Sequence, residues 1–206
     1  DQLILSISIP ANAPLGDLYA TLLVTSYSNV IDNQLQGSAL SATIGSNLLI
    51  SISTQGAPPT ILKVTDLLPE KSKYIKVGDY YFLDNITPLF FTAYAKNEGE
   101  FTAETKGVFR IERNEQKPID LQSVLPQYVL ARSQRRLGTI NDSKFFFTPS
   151  FSMIGPHSVR IDIRSENSNA STKIDVIFFP GKILIGIIAA ITFLRLIFRI
   201  STSKNE

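Results

Sequence analysis

Few residues in this chain can do covalent or acid–base chemistry. It has one histidine, His157, and no cysteine. His157 sits in Gly155-Pro156-His157-Ser158, at the start of an alternating apolar segment. As a general base it needs a nucleophile and an orienting carboxylate, and no G-x-S-x-G element supplies one. A structural or solvent-facing role is the simpler reading. With no thiolate and one imidazole, a zinc site would have to be built mostly of carboxylates. Asp79, Asp84 and Asp142 could serve calcium, but no D-x-D-x-D-G loop contains them. No glycine-rich phosphate loop is present. The sequence therefore predicts no enzyme, no metal and no cofactor. Arg132, Arg135 and Arg136 form the basic cluster outside the C-terminal segment. They are candidates for contact with an anionic polymer or headgroup, or else the wet edge of a strand.

The elements that would position these residues are strands. Leu3, Leu5, Ile7 and Ile9 alternate with Ile4, Ser6 and Ser8 until Pro10. Ala11–Gly16 has turn composition, and Leu18–Thr25 is the next strand. Ser26–Gly37 reads as a polar loop, followed by strands over Ser38–Ile44 and Leu48–Ser53. Ala57-Pro58-Pro59 marks a boundary. Beyond it, strands are expected at Ile61–Thr65, Leu89–Lys96, Phe101–Thr105, Val108–Glu112 and Tyr128–Arg135, with Lys106-Gly107 as a hairpin tip. Ser158–Arg164 and Lys173–Phe179 alternate cleanly and should pair as an antiparallel hairpin. Tyr80–Phe82 and Phe145–Phe147 are aromatic triplets in which alternation turns at least one ring outward. Asn85, Asn141 and Asn169 head glycosylation sequons, which match often by chance.

The final segment is apolar without a break from Ile183 to Leu194, and Leu196, Ile197, Phe198 and Ile200 extend it. As a helix, residues 183–200 would span ~27 Å, near the hydrocarbon thickness of a bilayer. This predicts one transmembrane helix with anchor residues Lys182, Ile183, Leu194, Arg195 and Arg199. Arg195 and Arg199 share a helix face and can snorkel together. A buried core helix would ordinarily keep a polar stripe. A cleaved sorting signal would need an LPxTG-like motif, whereas the chain offers Phe179-Pro180-Gly181-Lys182. Gly186 and Ala190 give a small-xxx-small face for helix pairing, and hence for an oligomer. The basic end places the tail in the cytoplasm and the rest outside.

Charge agrees with this division. Of 20 basic residues, Lys182, Arg195, Arg199 and Lys204 belong to the terminal segment, with Glu206. The outer part holds 16 basic and 17 acidic residues, so nucleic acid has no electrostatic footing as a partner. An exported chain without disulfides must be stable through its cores alone.

The expected architecture is all-β: two Ig-like antiparallel sandwiches and a C-terminal transmembrane helix. The divisions are 1–57, a sandwich that looks like the C-terminal half of a larger domain; 58–180, a membrane-proximal sandwich; 181–200, the helix; and 201–206, the tail. About 55 residues are too few for an Ig-like sandwich of roughly 100 residues. Either the chain begins upstream of Asp1, which we favour, or another chain supplies strands.

Ile9–Gly16 with Tyr19, followed by Ser38–Ile52, resembles the closing half of an Ig-like domain of bacterial surface proteins. Pro88–Gly99, Val124-Leu125-Pro126 with Arg132, Ile154-Gly155 and Phe178-Phe179-Pro180 look like a second such domain. The layout is similar to WxL-interacting proteins and to Ig-like membrane proteins of small-genome bacteria. That resemblance implies a non-enzymatic, membrane-anchored envelope protein that acts by binding: adhesion, scaffolding, or contact with a partner surface protein or envelope polymer. The alternative is an accessory subunit of a larger surface assembly, its strands completed by a partner chain.

Overall fold

A computed structural model describes residues 4–27, 41–54, 56, 58–113 and 118–203. Its ordered core begins at Leu62. From there the chain forms β3 (Leu62–Pro69), β4 (Tyr74–Val77), β5 (Tyr80–Asp84), β6 (Leu89–Asn97), β7 (Ala103–Glu112), β8 (Pro118–Val129), β9 (Gln134–Leu137), β10 (Phe145–Phe147), β11 (Gly155–Arg164) and β12 (Asn169–Phe179). These follow β1 (Gly16–Tyr27) and β2 (Ser41–Ile52), and precede one helix, α1 (Gly181–Ser203).

Strands β3 to β12 make two packed sheets. In one, β6 lies between β3 and the successive short strands β9 and β10. The other runs β4-β5-β12-β11-β7-β8, antiparallel except where β5 joins β12 in parallel. The two sheets pack face to face as a β-sandwich. Alternation places Leu89, Phe91, Ala93 and Ala95 of β6 against Phe109, Ile111, Val159, Ile161, Val176 and Phe178, all fully buried. Phe109 stacks on Phe145 with ring centroids 4.5 Å apart.

The β11–β12 hairpin forms as expected, Val159 opposite Ile174 and Ile161 opposite Thr172. In the aromatic triplets Tyr81, Phe145 and Phe147 are buried, while Tyr80 and Phe146 face out. Other expectations fail. Phe101–Thr105 and Val108–Glu112 are not a hairpin about Lys106-Gly107: one strand, β7, runs through Ala103–Glu112, and Phe101 and Thr102 precede it. Gly107 is needed for close approach: a Cβ there would lie 2.0 Å from the Asp162 carbonyl oxygen. It also adjoins a bulge, where the β7–β8 register shifts between Thr105 and Gly107. Tyr128–Arg135 is the end of β8, a turn through Arg132 at φ 54°, and the start of β9.

The first unit departs further. The described part of the two expected strands Ser38–Ile44 and Leu48–Ser53 is one strand, Ser41–Ile52, because Gly45 continues the ladder opposite Leu23 instead of turning. Residues 4–9, expected as a strand, are exposed and outside any strand. The described part of 1–57 holds a two-stranded antiparallel ribbon, β1–β2. Most of the expected Ser26–Gly37 loop lies outside the described residues, while Ser26 and Tyr27 extend β1.

Helix α1 begins two residues after β12, with Leu184 N–H donating to Pro180 O at 3.1 Å. Its side chains are described as far as Leu196. Among the described residues, no helix is long and apolar enough to cross a membrane.

Candidate binding surfaces

The ribbon's two faces differ, although Tyr19, Leu23 and Leu49 lie on the same face as the hydrogen-bonded pairs. On one, cross-strand hydrogen bonds join Thr21 to Asn47 at 3.0 Å, Thr25 to Thr43 at 3.0 Å and Ser51 to Asp17 at 2.6 Å. On the other, Leu18, Ala20, Leu22 and Val24 lie opposite Ile50, Leu48, Ser46 and Ile44. This second face is a sheet's core face by composition, yet none of its residues joins the core. Leu22 is 37% exposed, Leu18 45% and Ile44 74%. A two-stranded ribbon is marginal by itself in water. Both of its outer edges also present backbone donors and acceptors that β1 and β2 do not satisfy.

The ribbon is fastened at its base, through its polar face. The Thr102 amide donates to Asp17 Oδ2, and the Tyr19 hydroxyl lies 3.1 Å from Thr102 Oγ1. Tyr19 and Leu49 line one side of a cleft, Tyr128 and Leu130 the other. Nearby, buried Asn97 pins the receiving turn: Nδ2 donates to Phe101 O (2.7 Å) and Val129 O (3.0 Å), and Oδ1 accepts from Gly99 N–H (2.9 Å).

Registers place the ribbon and helix at opposite ends of the sandwich. Ala103 pairs with Val129 at the ribbon end, and Gly155 with Phe178 at the helix end. The 10-residue β11 separates them by ~33 Å.

The sandwich edges differ from the ribbon edges. Gln122 Nε2 donates to Phe146 O at 2.5 Å, and Gln127 Nε2 to Arg136 O at 2.8 Å. Two amides on edge strand β8 thus reach across to the facing sheet's edge and occupy carbonyls there. The ribbon has no such closure among the described residues.

The predicted site residues do not form one centre. Arg132 pairs with Glu100 at 2.5 Å, which raises its pKa in an exposed setting. Arg135 donates to Tyr128 O at 2.8 Å, and Arg136 stacks over Tyr94 while donating to its hydroxyl at 2.9 Å. Each guanidinium is used locally, so the cluster does not converge on an anion. Asp84 accepts from Thr87, and Asp142 accepts from the Lys144 amide in its own turn. His157 is buried, its Nδ1 3.0 Å from Gly155 O and its ring edge-on to Phe178. Burial lowers its pKa, the Gly155 contact opposes this, and Arg113 adds to the lowering. Asn85 is also buried, its Nδ2 donating to Phe151 O and Met153 O, so this sequon is closed in the folded chain. Asn141 and Asn169 are exposed.

On the helix, Lys182, Ile183, Gly186, Ala190, Leu194 and Arg195 are exposed, and nothing packs within 4 Å of a Cβ built at Gly186. The Arg199 side chain lies outside the described residues, as does the tail at 204–206. The ribbon's uncovered apolar face was absent from the sequence reading, although the alternation of Leu18–Val24 carried it.

No family model matches the chain, and no curated protein matches it. Among solved structures it is similar to the CARDB domain of a Pyrococcus furiosus protein, solved in complex with di-metal ions. Identity is 14% and the TM-score 0.36, with 63% of this chain and 95% of that one covered.

Proposed function

We propose that this is a non-enzymatic surface protein, held in the membrane by α1, that presents the β1–β2 ribbon to a protein partner which completes it as a sheet. One observation carries the binding role: among the described residues, the ribbon has an apolar face outside the core and two open edges. A partner strand with alternating apolar residues would satisfy the edge and extend the apolar face, which is the logic of β-augmentation. The sandwich acts as a spacer between helix and ribbon. The apolar run Ile183–Leu194 and the basic residues Arg195, Arg199 and Lys204 support anchoring with the sandwich outside the cell. The resemblance of the sequence to WxL-interacting proteins, at the level of pattern, favours the same reading.

The ribbon also favours the accessory-subunit reading over contact with envelope polymer, because apolar side chains and strand edges match another polypeptide. A photo-crosslinker replacing Leu22 should yield a protein adduct in native membranes, and one replacing Thr25 on the opposite face should not. A partner bound through the apolar face should be lost when Val24→Asp is added. Equal adducts at Leu22 and Thr25, insensitive to Val24→Asp, would refute this mode.

A further inference from the structure

The sandwich carries a second exposed apolar group, at the end from which α1 leaves. Asn85 N–H donates to Phe179 O at 3.1 Å, and Asn85 Nδ2 holds the carbonyls of Phe151 and Met153. These bonds hold the segments that carry Ile86, Phe151 and Ile154 at the end where β12 passes into α1. All three are exposed, Phe151 by 61%, although the loop that carries two of them is tied down by a buried side chain. Lys71, Arg113 and Lys182 are exposed at the same end. Among the described residues none of the three has a carboxylate partner. Glu70 pairs with Lys144 (3.4 Å) and Glu112 with Arg110 (3.8 Å), while Asp84 accepts from Thr87 through Oδ2 (3.3 Å) and its Oδ1 is buried without a hydrogen-bond partner.

Apolar tips fixed in place beside cations that have no carboxylate partner among the described residues match the boundary between lipid headgroups and acyl chains. There, apolar side chains enter the interface and cations meet anionic headgroups. The helix that leaves from this end is apolar on every side, with Ile183, Leu184, Ile185, Ile187 and Ile188 all exposed. A surface that covers the helix as lipid must also reach its root, since one residue separates β12 from α1. We propose that Ile86, Phe151 and Ile154, with Lys71, Arg113 and Lys182, form a collar that seats the sandwich on an anionic lipid surface. The proposal rests on the anchoring role given to α1. The sandwich then stands upright, and the ribbon is held ~33 Å out from the headgroups.

The chain's lack of cysteine makes single-site labelling direct. The full chain is reconstituted in vesicles of phosphatidylcholine and phosphatidylglycerol, with a spin label at Ile86→Cys, Phe151→Cys or Ile154→Cys. Leu130→Cys at the ribbon end and Ile188→Cys in the helix serve as references. The ratio of oxygen to aqueous nickel-chelate collisions at the collar should exceed that at Leu130 at least ~3-fold. It should fall when phosphatidylglycerol is omitted. Collar ratios equal to Leu130, with Ile188 deep in hydrocarbon, overturn the collar and leave the anchor standing. An aqueous ratio at Ile188 as well overturns the anchor, and the collar with it.

Discussion

Replacing Gly107 by alanine separates two readings of the same residues. At a hairpin tip, alanine would cost ~1 kcal/mol or less, and could stabilise where the backbone suits it. Within β7 the outcome is different. The added Cβ would sit 2.0 Å from Asp162 O and 2.8 Å from Ile163 Cα, against an ordinary contact of ~3.5 Å. Both obstacles are backbone, so no rotamer change relieves them. Strands β7 and β11 must part by more than ~1 Å, which weakens two or three ladder bonds worth ~1 kcal/mol each and loosens the packing of Phe109 on Ile161. The expected loss is ~3–4 kcal/mol. With a slope of ~2 kcal/mol per molar urea, the midpoint should fall by ~1.5–2 M. The assay is urea unfolding of the detergent-solubilised full chain, followed by the near-ultraviolet circular dichroism of its tyrosines. A loss under ~1 kcal/mol, or a gain, would refute the placement of Gly107 in the β7–β11 ladder.

Three other outcomes follow from the packing. Asn97→Ala strands two buried carbonyls and one amide and should cost ~3–5 kcal/mol in the same assay. Leu22→Asp should change sandwich stability by no more than ~0.5 kcal/mol, because the core begins at Leu62. His157 has a folded pKa below its unfolded value, so between the two the unfolded chain binds more protons. Stability should therefore be lost as pH falls from ~6.5 toward the folded pKa, and His157→Gln should flatten that stretch of the stability–pH profile.

What the sequence revealed follows from how local each signal was. The β11–β12 hairpin was legible because Val159, Ile161 and Ile163 alternate without interruption and the polar run after Arg164 can only turn. The inward members of Phe145–Phe147 followed from the same period. Gly107 misled because a glycine needed for close backbone approach and one needed for a turn look alike in sequence. Gly45 misled similarly, inside β2. Strand β8 was missed because Asp120, Gln122 and Gln127 break the apolar period, and two of them do so in order to reach across the sandwich edge. Strand β5 was read only as an aromatic triplet, since its parallel partner lies about 95 residues away. The arginine cluster looked like a site because Arg132, Arg135 and Arg136 are close in sequence. A turn and the two faces of β9 send them to Glu100, Tyr128 and Tyr94. The proposed collar at the helix root joins residues from five separate segments, which no single stretch of sequence could display.

The most direct test of the account is amide hydrogen exchange across β1 and β2, compared between native membranes and the purified full chain in vesicles. If a partner completes the ribbon, amides on its outer edges should exchange at least ~10-fold more slowly in native membranes, and Leu22→Asp should remove the difference. Equal exchange in both states, with the sandwich strands protected as usual, would contradict the proposal that the ribbon is this protein's binding surface.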